Sequence, residues 1–248
     1  MDLGLDGRTA IVLGASQGMG LAIAQALAAE GAAVAMFARR RDVLEREAGR
    51  IGALAVCGDI TEPQHLERLV EATVEAFGGI DVLVLNGGGP PPGPAVGLTA
   101  DQVEAALALL LVPHVRIVDL CLPHLRASGR GRIVAVESTS VKEPIANLAL
   151  SNAIRPGVVG WLKTLAHELG VDGITVNTIA PGRIDTERLR ALYGPDGPPP
   201  AVLETIATRR LGTPAEIAAA ACFLASQQAA YVTGTVLTVD GGLARGLT

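Results

Sequence analysis

The sequence predicts an α/β fold, a single doubly wound domain whose seven-stranded parallel sheet carries helices on both faces. Short apolar runs alternate along the chain with longer stretches of helical periodicity, and strands separated by helices build right-handed βαβ units. The strand segments are apolar almost throughout, which is typical of strands that are covered on both sides. No linker or change in composition divides the 248 residues, so we expect one domain over residues 1–248.

The elements follow one another in a regular order. Each predicted strand is a short apolar run, and the seven are Thr9–Leu13, Ala33–Phe37, Ala53–Cys57, Asp81–Leu85, Arg132–Val136, Ile174–Ile179 and Thr235–Val239. The longer stretches between them predict helices over about 17–30, from about 41 onward, and over about 63–77, 100–126, 148–170 and 214–226. Pro113 predicts a kink in the fourth helix, because proline removes a backbone donor.

Composition excludes several classes of protein. The formal net charge is −5, so the chain lacks the basic footprint that nucleic-acid binding needs. Three widely spaced cysteines and four histidines form no metal-ligand pattern, and the cysteine usage indicates a reducing compartment. Only two lysines, Lys142 and Lys163, accompany 18 arginines, and the aromatic residues are one Trp, two Tyr and three Phe. Phenols and amines that could serve in catalysis are therefore scarce.

No segment has the character of a targeting or membrane-spanning sequence. The start, Met1-Asp-Leu-Gly-Leu-Asp6, has neither a basic region nor a long apolar run. The most apolar run, Ala105–Pro113, covers nine residues, whereas a bilayer-spanning helix needs about 20. We therefore expect a soluble cytoplasmic protein with no membrane partner and no nucleic-acid partner.

A glycine-rich turn follows the first strand and opens the first helix. Its sequence is Gly14-Ala-Ser-Gln-Gly-Met-Gly20, in which Ser16, Gln17, Gly18 and Met19 complete the turn. Glycines allow backbone N–H groups to approach a diphosphate, and the helix N-terminus favours negative charge. In this strand–turn–helix setting the spacing predicts a Rossmann dinucleotide site.

The end of the second strand indicates which dinucleotide is bound. An NAD site usually places an acidic residue there to bind the ribose 2′-hydroxyl. Here the segment is Phe37-Ala-Arg-Arg-Arg41, which has no acid. Because arginine suits bidentate recognition of phosphate, we predict NADP(H) as the cofactor, with Arg39 and Arg40 at its 2′-phosphate.

With these motifs the chain resembles the short-chain dehydrogenase/reductase family over nearly its whole length, particularly its 3-oxoacyl-[acyl-carrier-protein] reductase-like members. The resemblance implies adenine contacts from Asp59 and Ile60, and a catalytic role for Ser138. Its other cofactor contacts fall on the turn Asn86-Gly87-Gly88 and on Pro181, Gly182, Ile184 and Thr186. The closing family motifs match Arg210–Ile217 and Val232–Gly242.

The catalytic centre departs from the family pattern. The family places Tyr-x-x-x-Lys 13 residues beyond its serine, and this chain has Ser151-Asn-Ala-Ile-Arg155 at that position. The family's relay asparagine falls near Leu110, so that group is also absent. Ser151 and Arg155 lie four residues apart, which places them on one helical face. Arg155 can still donate to the ribose hydroxyls of the nicotinamide half.

The departure leaves the proton donor open. A serine hydroxyl is a far weaker acid than a phenol, and losing a positioned acid typically costs about 10²–10⁴ in rate. Three replacements are available: Lys142 on the loop after the fifth strand, Tyr193, and a water held by Ser138 and Ser151. Of these we favour Lys142.

Two functions remain open from the sequence. The first is an NADP(H)-dependent oxidoreductase acting on a small-molecule carbonyl or alcohol, supported by the cofactor motifs and Ser138. The second is a catalytically quiet NADP(H)-binding regulatory or structural protein. Two Pro/Gly-rich loops, Gly87–Pro94 and 193–200, are candidate walls of the site, and the second belongs to a predicted small lid over about 186–212. The family resemblance implies a homodimer or homotetramer.

Overall fold

The structure, a computed structural model, describes residues 2–194 and 197–246. Seven parallel strands form one sheet in the order β3-β2-β1-β4-β5-β6-β7. The strands are β1 (Thr9–Leu13), β2 (Ala33–Ala38), β3 (Leu54–Cys57), β4 (Val82–Asn86), β5 (Arg132–Val136), β6 (Thr175–Pro181) and β7 (Val236–Val239). The predicted fold class is confirmed.

The strand order reverses between β1 and β4, which pair directly with Ile11 opposite Leu83. Ligands in open parallel sheets bind beyond the carboxyl ends of the strands at such a switch point. The turns that follow β1, β4, β5 and β6 therefore meet at one edge of the sheet, and this edge holds the candidate site.

Nine helices occur in the described residues. They are α1 (Gly18–Ala29), α2 (Arg41–Ile51), α3 (Pro63–Phe77), α4 (Ala100–Leu110), α5 (Val112–Ser128), α6 (Ala149–Leu169), α7 (Glu187–Tyr193), α8 (Pro200–Leu203) and α9 (Pro214–Ala225).

Alternate side chains of the strands build two separate apolar cores. On one face Ile11 and Leu13 of β1 pack with side chains of α3, α5 and α6. On the other face Ala10 and Val12 pack with side chains of α1, α2 and α9. Both faces of the sheet are thus covered, which explains why the strand sequences are apolar throughout.

The single long helix predicted over 100–126 is two helices. α4 ends at Leu110 and α5 begins at Val112. Pro113 lies in the first turn of α5, where its missing N–H leaves no helical hydrogen bond unmade. The kink predicted at this proline is therefore a break just before it.

The sequence-based expectation rested on the nine-residue run Ala105–Pro113, whereas one longer stretch of the described residues is long and apolar enough to cross a bilayer by length and composition. This stretch, Ala100–Ser128, comprises α4, α5 and the turn residue between them; it is 29 residues long and has a mean hydropathy of 1.9 in its most apolar window. Residues of this stretch, among them Leu110, Ile117 and Cys121, lie in the core against the sheet. A core helix of a soluble protein meets the same two criteria.

Candidate active site

The glycine-rich turn between β1 and α1 requires its glycines. Gly14 and Gly18 have φ angles of 62° and 57°, a region that side chains disfavour. A Cβ at Gly20 would collide with the carbonyl oxygen of Gly14 and lie 2.6 Å from Asn86 Nδ2. The backbone of the turn is therefore open where a Cβ would fill it, and this fits the close approach of a diphosphate.

Asn86 holds this turn in place from the end of β4. Its Nδ2 donates to the carbonyl oxygen of Leu13 at 3.1 Å and to that of Gly14 at 3.4 Å. The amide thus ties together the two strands that flank the switch point. Asn86 supports the cradle by these bonds, in addition to the cofactor contact that the family resemblance implies.

The arginines predicted for the 2′-phosphate lie at the exposed end of β2. The Arg39 side chain is 77% exposed, and its Nη1 lies 3.8 Å from Asp59 Oδ2. Arg40 donates to Gln17 Oε1 of the glycine-rich turn. Both guanidinium groups are available to an anion beside the turn.

Asp59, predicted to contact adenine, is part of a local turn. Its Oδ1 accepts hydrogen bonds from Thr61 N at 3.0 Å and Thr61 Oγ1 at 2.8 Å. These hydrogen bonds, chiefly the one from the Thr61 backbone, lower the pKa of Asp59. The carboxylate is therefore ionised and fixed, while neighbouring Ile60 is half-buried.

Four residues at and after the end of β6 are predicted to contact the cofactor; some of them pack inside the protein and one faces the site. Pro181 and Ile184 are buried, and a Cβ at Gly182 would lie 2.6 Å from Asp240 Cβ. Thr186 is the N-cap of α7, and its methyl carbon would lie 3.6 Å from a Cβ at Gly18. Of these four residues, Thr186 is the one that faces the glycine-rich turn.

The predicted catalytic residues follow β5 and line α6. Ser138 is the second residue after β5, and its Oγ accepts a hydrogen bond from Ser140 N at 3.1 Å. Ser151 is 5% exposed, one helical turn before Arg155. Arg155 donates to Gly88 O at 3.2 Å, so the helix contacts the turn after β4.

Arg155 forms a buried ion pair that the sequence did not reveal. Its Nη1 lies 2.7 Å from Glu137 Oε2, and the two side chains are 9% and 1% exposed. Burial raises the pKa of Glu137, and the charge and hydrogen bond of Arg155 oppose that shift. The available signal was an acid that directly follows an apolar strand and immediately precedes Ser138.

His114 is a second buried polar residue at this edge that sequence reasoning missed. It is 2% exposed, and both ring nitrogens have no hydrogen-bond partner among the described residues. Its Nε2 would lie 3.7 Å from a Cβ at Gly87, in the turn after β4. Burial, together with the charge of Arg155, lowers the pKa of His114 to about 4. A neutral imidazole is thus buried directly below the candidate site.

Replacing His114 with leucine is expected to make the free energy of unfolding less dependent on pH in the acidic range. The folded protein protonates His114 only near pH 4, whereas the unfolded chain does so near pH 6.5. The unfolded chain is therefore favoured by protonation, and the protein loses stability as the pH falls from about 6.5 to 4. The loss for wild type is ~3 kcal/mol. Denaturant unfolding at pH 7 and pH 5 should show a smaller difference in His114→Leu. The exposed His167→Gln serves as control, and an unchanged difference in His114→Leu would contradict this assignment.

The candidates for the proton donor differ in their surroundings. Lys142 ends the short turn after Ser138 and is half-buried, with no ion pair within the described parts of the chain. The Tyr193 hydroxyl accepts a hydrogen bond from Arg183, whose guanidinium carbon lies 5.9 Å from the ring centre. The predicted lid over 186–212 contains α7 and α8, and its residues 195 and 196 lie outside the described residues.

The strand order and the glycine-rich turn define the Rossmann class of doubly wound proteins. A family model described as "Enoyl-(Acyl carrier protein) reductase" matches residues 14–244. The 3-oxoacyl-[acyl-carrier-protein] reductase FabG of Vibrio cholerae is 35% identical over 243 residues, 97% of this chain and 99% of that protein. The chain therefore belongs to the short-chain dehydrogenase/reductase family.

Further relatives and solved structures agree. The reductase MabA of Mycobacterium tuberculosis is 34% identical over 239 residues, 96% of this chain and 94% of that protein. The L-sorbose reductase of Gluconobacter frateurii, complexed with NADPH and L-sorbose, superposes with a TM-score of 0.93 at 31% identity and covers 100% of both chains. YwfH, an NADPH-dependent reductase involved in bacilysin biosynthesis, gives 0.92 at 26% identity, covering 97% of this chain and 99% of its own.

Proposed function

We propose that the protein is an NADP(H)-dependent oxidoreductase acting on a small-molecule carbonyl or alcohol, with an atypical catalytic centre. The observation that carries this proposal is the cradle formed by Gly14, Gly20 and the Asn86 amide. Two exposed arginines, Arg39 and Arg40, stand beside it. The NADPH-dependent solved relatives support the same cofactor.

Different residues at the edge of the sheet would bind different parts of the cofactor. NADPH, when bound, supplies a hydride. The turn Gly14–Gly20 and the first turn of α1 would hold the diphosphate, and Thr186 would close over it. Arg155 would hold the ribose hydroxyls, since its guanidinium reaches the turn after β4.

The chemistry at the carbonyl rests on hydroxyl groups. Ser138 and Ser151 would donate hydrogen bonds to the carbonyl oxygen and stabilise the charge that develops on it. The Ser-x-x-x-Arg sequence provides no phenol, so the proton would come from Lys142, from Tyr193 or from a water held by Ser138 and Ser151. An unchanged turnover in Lys142→Ala would remove the lysine from consideration.

The decisive experiment has two stages. Fluorescence titration with NADPH measures cofactor binding, and NADPH oxidation against a panel of ketones, aldehydes and oxo acids measures turnover. We expect binding in the micromolar range and turnover of at least one carbonyl class. Absence of NADPH binding would refute the proposal.

Replacing Arg39 and Arg40 with glutamine is expected to weaken NADPH binding about 10- to 100-fold. Hydrogen bonds from a charged donor contribute ~1.5–3 kcal/mol. NADH has no 2′-phosphate, so it forms no such bonds and loses none in the variant. NADH affinity should therefore stay within about threefold. Arg41→Gln is the matched control, because Arg41 pairs with Glu45 on α2 at 3.0 Å. Wild type that binds NADH more tightly than NADPH would contradict the assignment.

A second candidate is a catalytically quiet NADP(H)-binding protein. The observation that favours it is the engagement of Arg155 by both Glu137 and Gly88 O, which occupies donors that ribose would use. Tight NADPH binding without turnover of any member of the panel would support this function over the first.

The proposed oligomeric state, location and partners of the protein follow from its family and its composition. We infer a homodimer or homotetramer, a soluble cytoplasmic location, and no nucleic-acid partner. Val112 and Val115 on α5 are 45% and 42% exposed, which suits a face covered by another copy. Sedimentation of the purified protein would measure the oligomeric state. We also keep the single domain with a lid over 186–212 as a proposal.

A further inference from the structure

The segment after β6 carries arginines with different surroundings. Arg190 forms a two-point ion pair with Asp185, with both N–O distances at 2.9 Å, and is exposed. Arg188, two residues earlier on α7, has no carboxylate within 4.0 Å among the described residues. Its Nη2 donates only to Pro90 O, at 3.4 Å. One guanidinium of α7 is thus neutralised locally and the other is not.

Arg188 crosses from α7 to the loop after β4. A Cβ at Gly89 would collide with its guanidinium, so the contact depends on glycine at that position. Arg155 reaches the preceding residue from α6 and donates to Gly88 O at 3.2 Å. Two guanidinium groups therefore meet on consecutive residues of one loop.

The charge in this place is not balanced. Burial, followed by the charge of Arg155, lowers the pKa of Arg188. Glu137 compensates Arg155 by its ion pair at 2.7 Å, and nothing in the described chain compensates Arg188 in the same way. Arg188 is, like Arg190, an exposed residue, and its hydrogen bond to Pro90 O is partly buried. Guanidinium groups without a carboxylate partner are the usual partners of carboxylates and phosphates.

The position of Arg188 indicates the substrate end of the site. Thr186 faces Gly18 at the N-terminus of α1, where a diphosphate would lie. Arg188 instead contacts Gly89 and Pro90, beyond the turn that Arg155 reaches from the catalytic helix. An anion bound at Arg188 would therefore lie on the side of the reacting carbonyl and away from the glycine-rich turn.

An apolar cavity of about 410 Å³ adjoins the same loop. Pro90, whose carbonyl accepts from Arg188, contributes to its wall, as does Leu150, which precedes Ser151. The remaining wall is mostly apolar and includes Pro92, Leu98, Ala106 and Leu109. A cavity of this size accommodates the body of a small organic ligand.

We propose that the substrate is an oxo acid whose carboxylate binds Arg188 and whose hydrocarbon body occupies this cavity. The proposal rests on the proposed oxidoreductase function, and it names the substrate class of that site. A carboxylate at Arg188 pairs the uncompensated guanidinium. It also orients the carbonyl toward Ser138 and Ser151.

Matched substrates test the proposal. 2-Oxooctanoate and 4-oxooctanoate are compared with their methyl esters as substrates with NADPH. Wild type should have a kcat/KM at least about 10-fold higher for one acid than for its ester. Arg188→Gln should lower that value for the acid about 10- to 100-fold and for the ester less than threefold. Arg190→Gln, the control on the same helix, should keep the acid preference.

Two binding measurements separate the possible failures. An Arg188→Gln variant that binds NADPH more than 10-fold more weakly, with its acid-to-ester ratio unchanged, would assign Arg188 to the cofactor diphosphate and overturn the proposal. Calorimetry of 2-oxooctanoate with the NADP⁺-loaded protein needs no turnover. Acid binding that Arg188→Gln abolishes, without turnover of any carbonyl, would support the anion site and refute the oxidoreductase function. Acid binding no tighter than ester binding would overturn the anion site alone.

Discussion

Arg155→Leu is expected to lower the free energy of unfolding by about 3–5 kcal/mol at pH 7.5. The substitution leaves the Glu137 carboxylate at 1% exposure without its partner, and an uncompensated buried charge is strongly unfavourable. Because burial raises the pKa of Glu137, the variant binds a proton more readily when folded. Its stability deficit should therefore shrink as the pH falls toward 5. Urea unfolding of the apo protein at both pH values measures this.

The double variant Glu137→Leu/Arg155→Leu is the control for that experiment. Replacing both members of a buried ion pair with apolar residues is often neutral or stabilising, so we expect its unfolding free energy within about 1 kcal/mol of wild type. An Arg155→Leu deficit below about 1 kcal/mol would mean that Glu137 is hydrated or already neutral in the wild-type protein.

Ser138→Ala is expected to lower kcat about 10²–10³-fold on any carbonyl that the protein reduces. The loss follows from removing one positioned donor to the developing oxyanion. NADPH affinity should change less than threefold, because Ser138 follows β5 and the glycine-rich turn follows β1. Steady-state kinetics and a cofactor titration on the same preparation measure both effects.

Ser140→Ala is the matched control for Ser138→Ala. Ser140 lies two residues away, and its buried hydroxyl has no hydrogen-bond partner among the described residues. Its removal should leave kcat unchanged and stability equal or slightly higher. Equal losses in the two variants would show that the turn tolerates no substitution, and would withdraw the catalytic role of Ser138.

The fold could be predicted because its determinants are local and repetitive. Alternating apolar runs and helical stretches gave seven strands, and all seven lie within a few residues of their predicted bounds. The break before Pro113 was harder to place, because a proline in the first turn of a helix and one in a kinked helix leave the same trace in a sequence.

The site could be predicted only where a motif is contiguous. Gly14, Gly18 and Gly20 belong to one short turn. Gly14 and Gly18 have positive φ angles, and a Cβ at Gly20 would collide with the backbone of Gly14, so the turn needs glycine at these positions. Glu137 and His114 were missed because their importance comes from burial next to Arg155. Glu137 and His114 lie 18 and 41 positions before Arg155 in the chain, and no sequence periodicity indicates contacts over such separations.

The amide of Asn86 has a consequence for how the protein folds. Its hydrogen bond to Leu13 O joins residues 73 positions apart, and bringing such distant residues together carries a loop-closure entropy cost that local contacts do not. The cradle therefore cannot exist in the first βαβ unit alone, and it matures only when β4 docks beside β1. A ligand that needs the finished cradle binds the folded protein and not the unfolded chain, so it stabilises the whole fold by mass action.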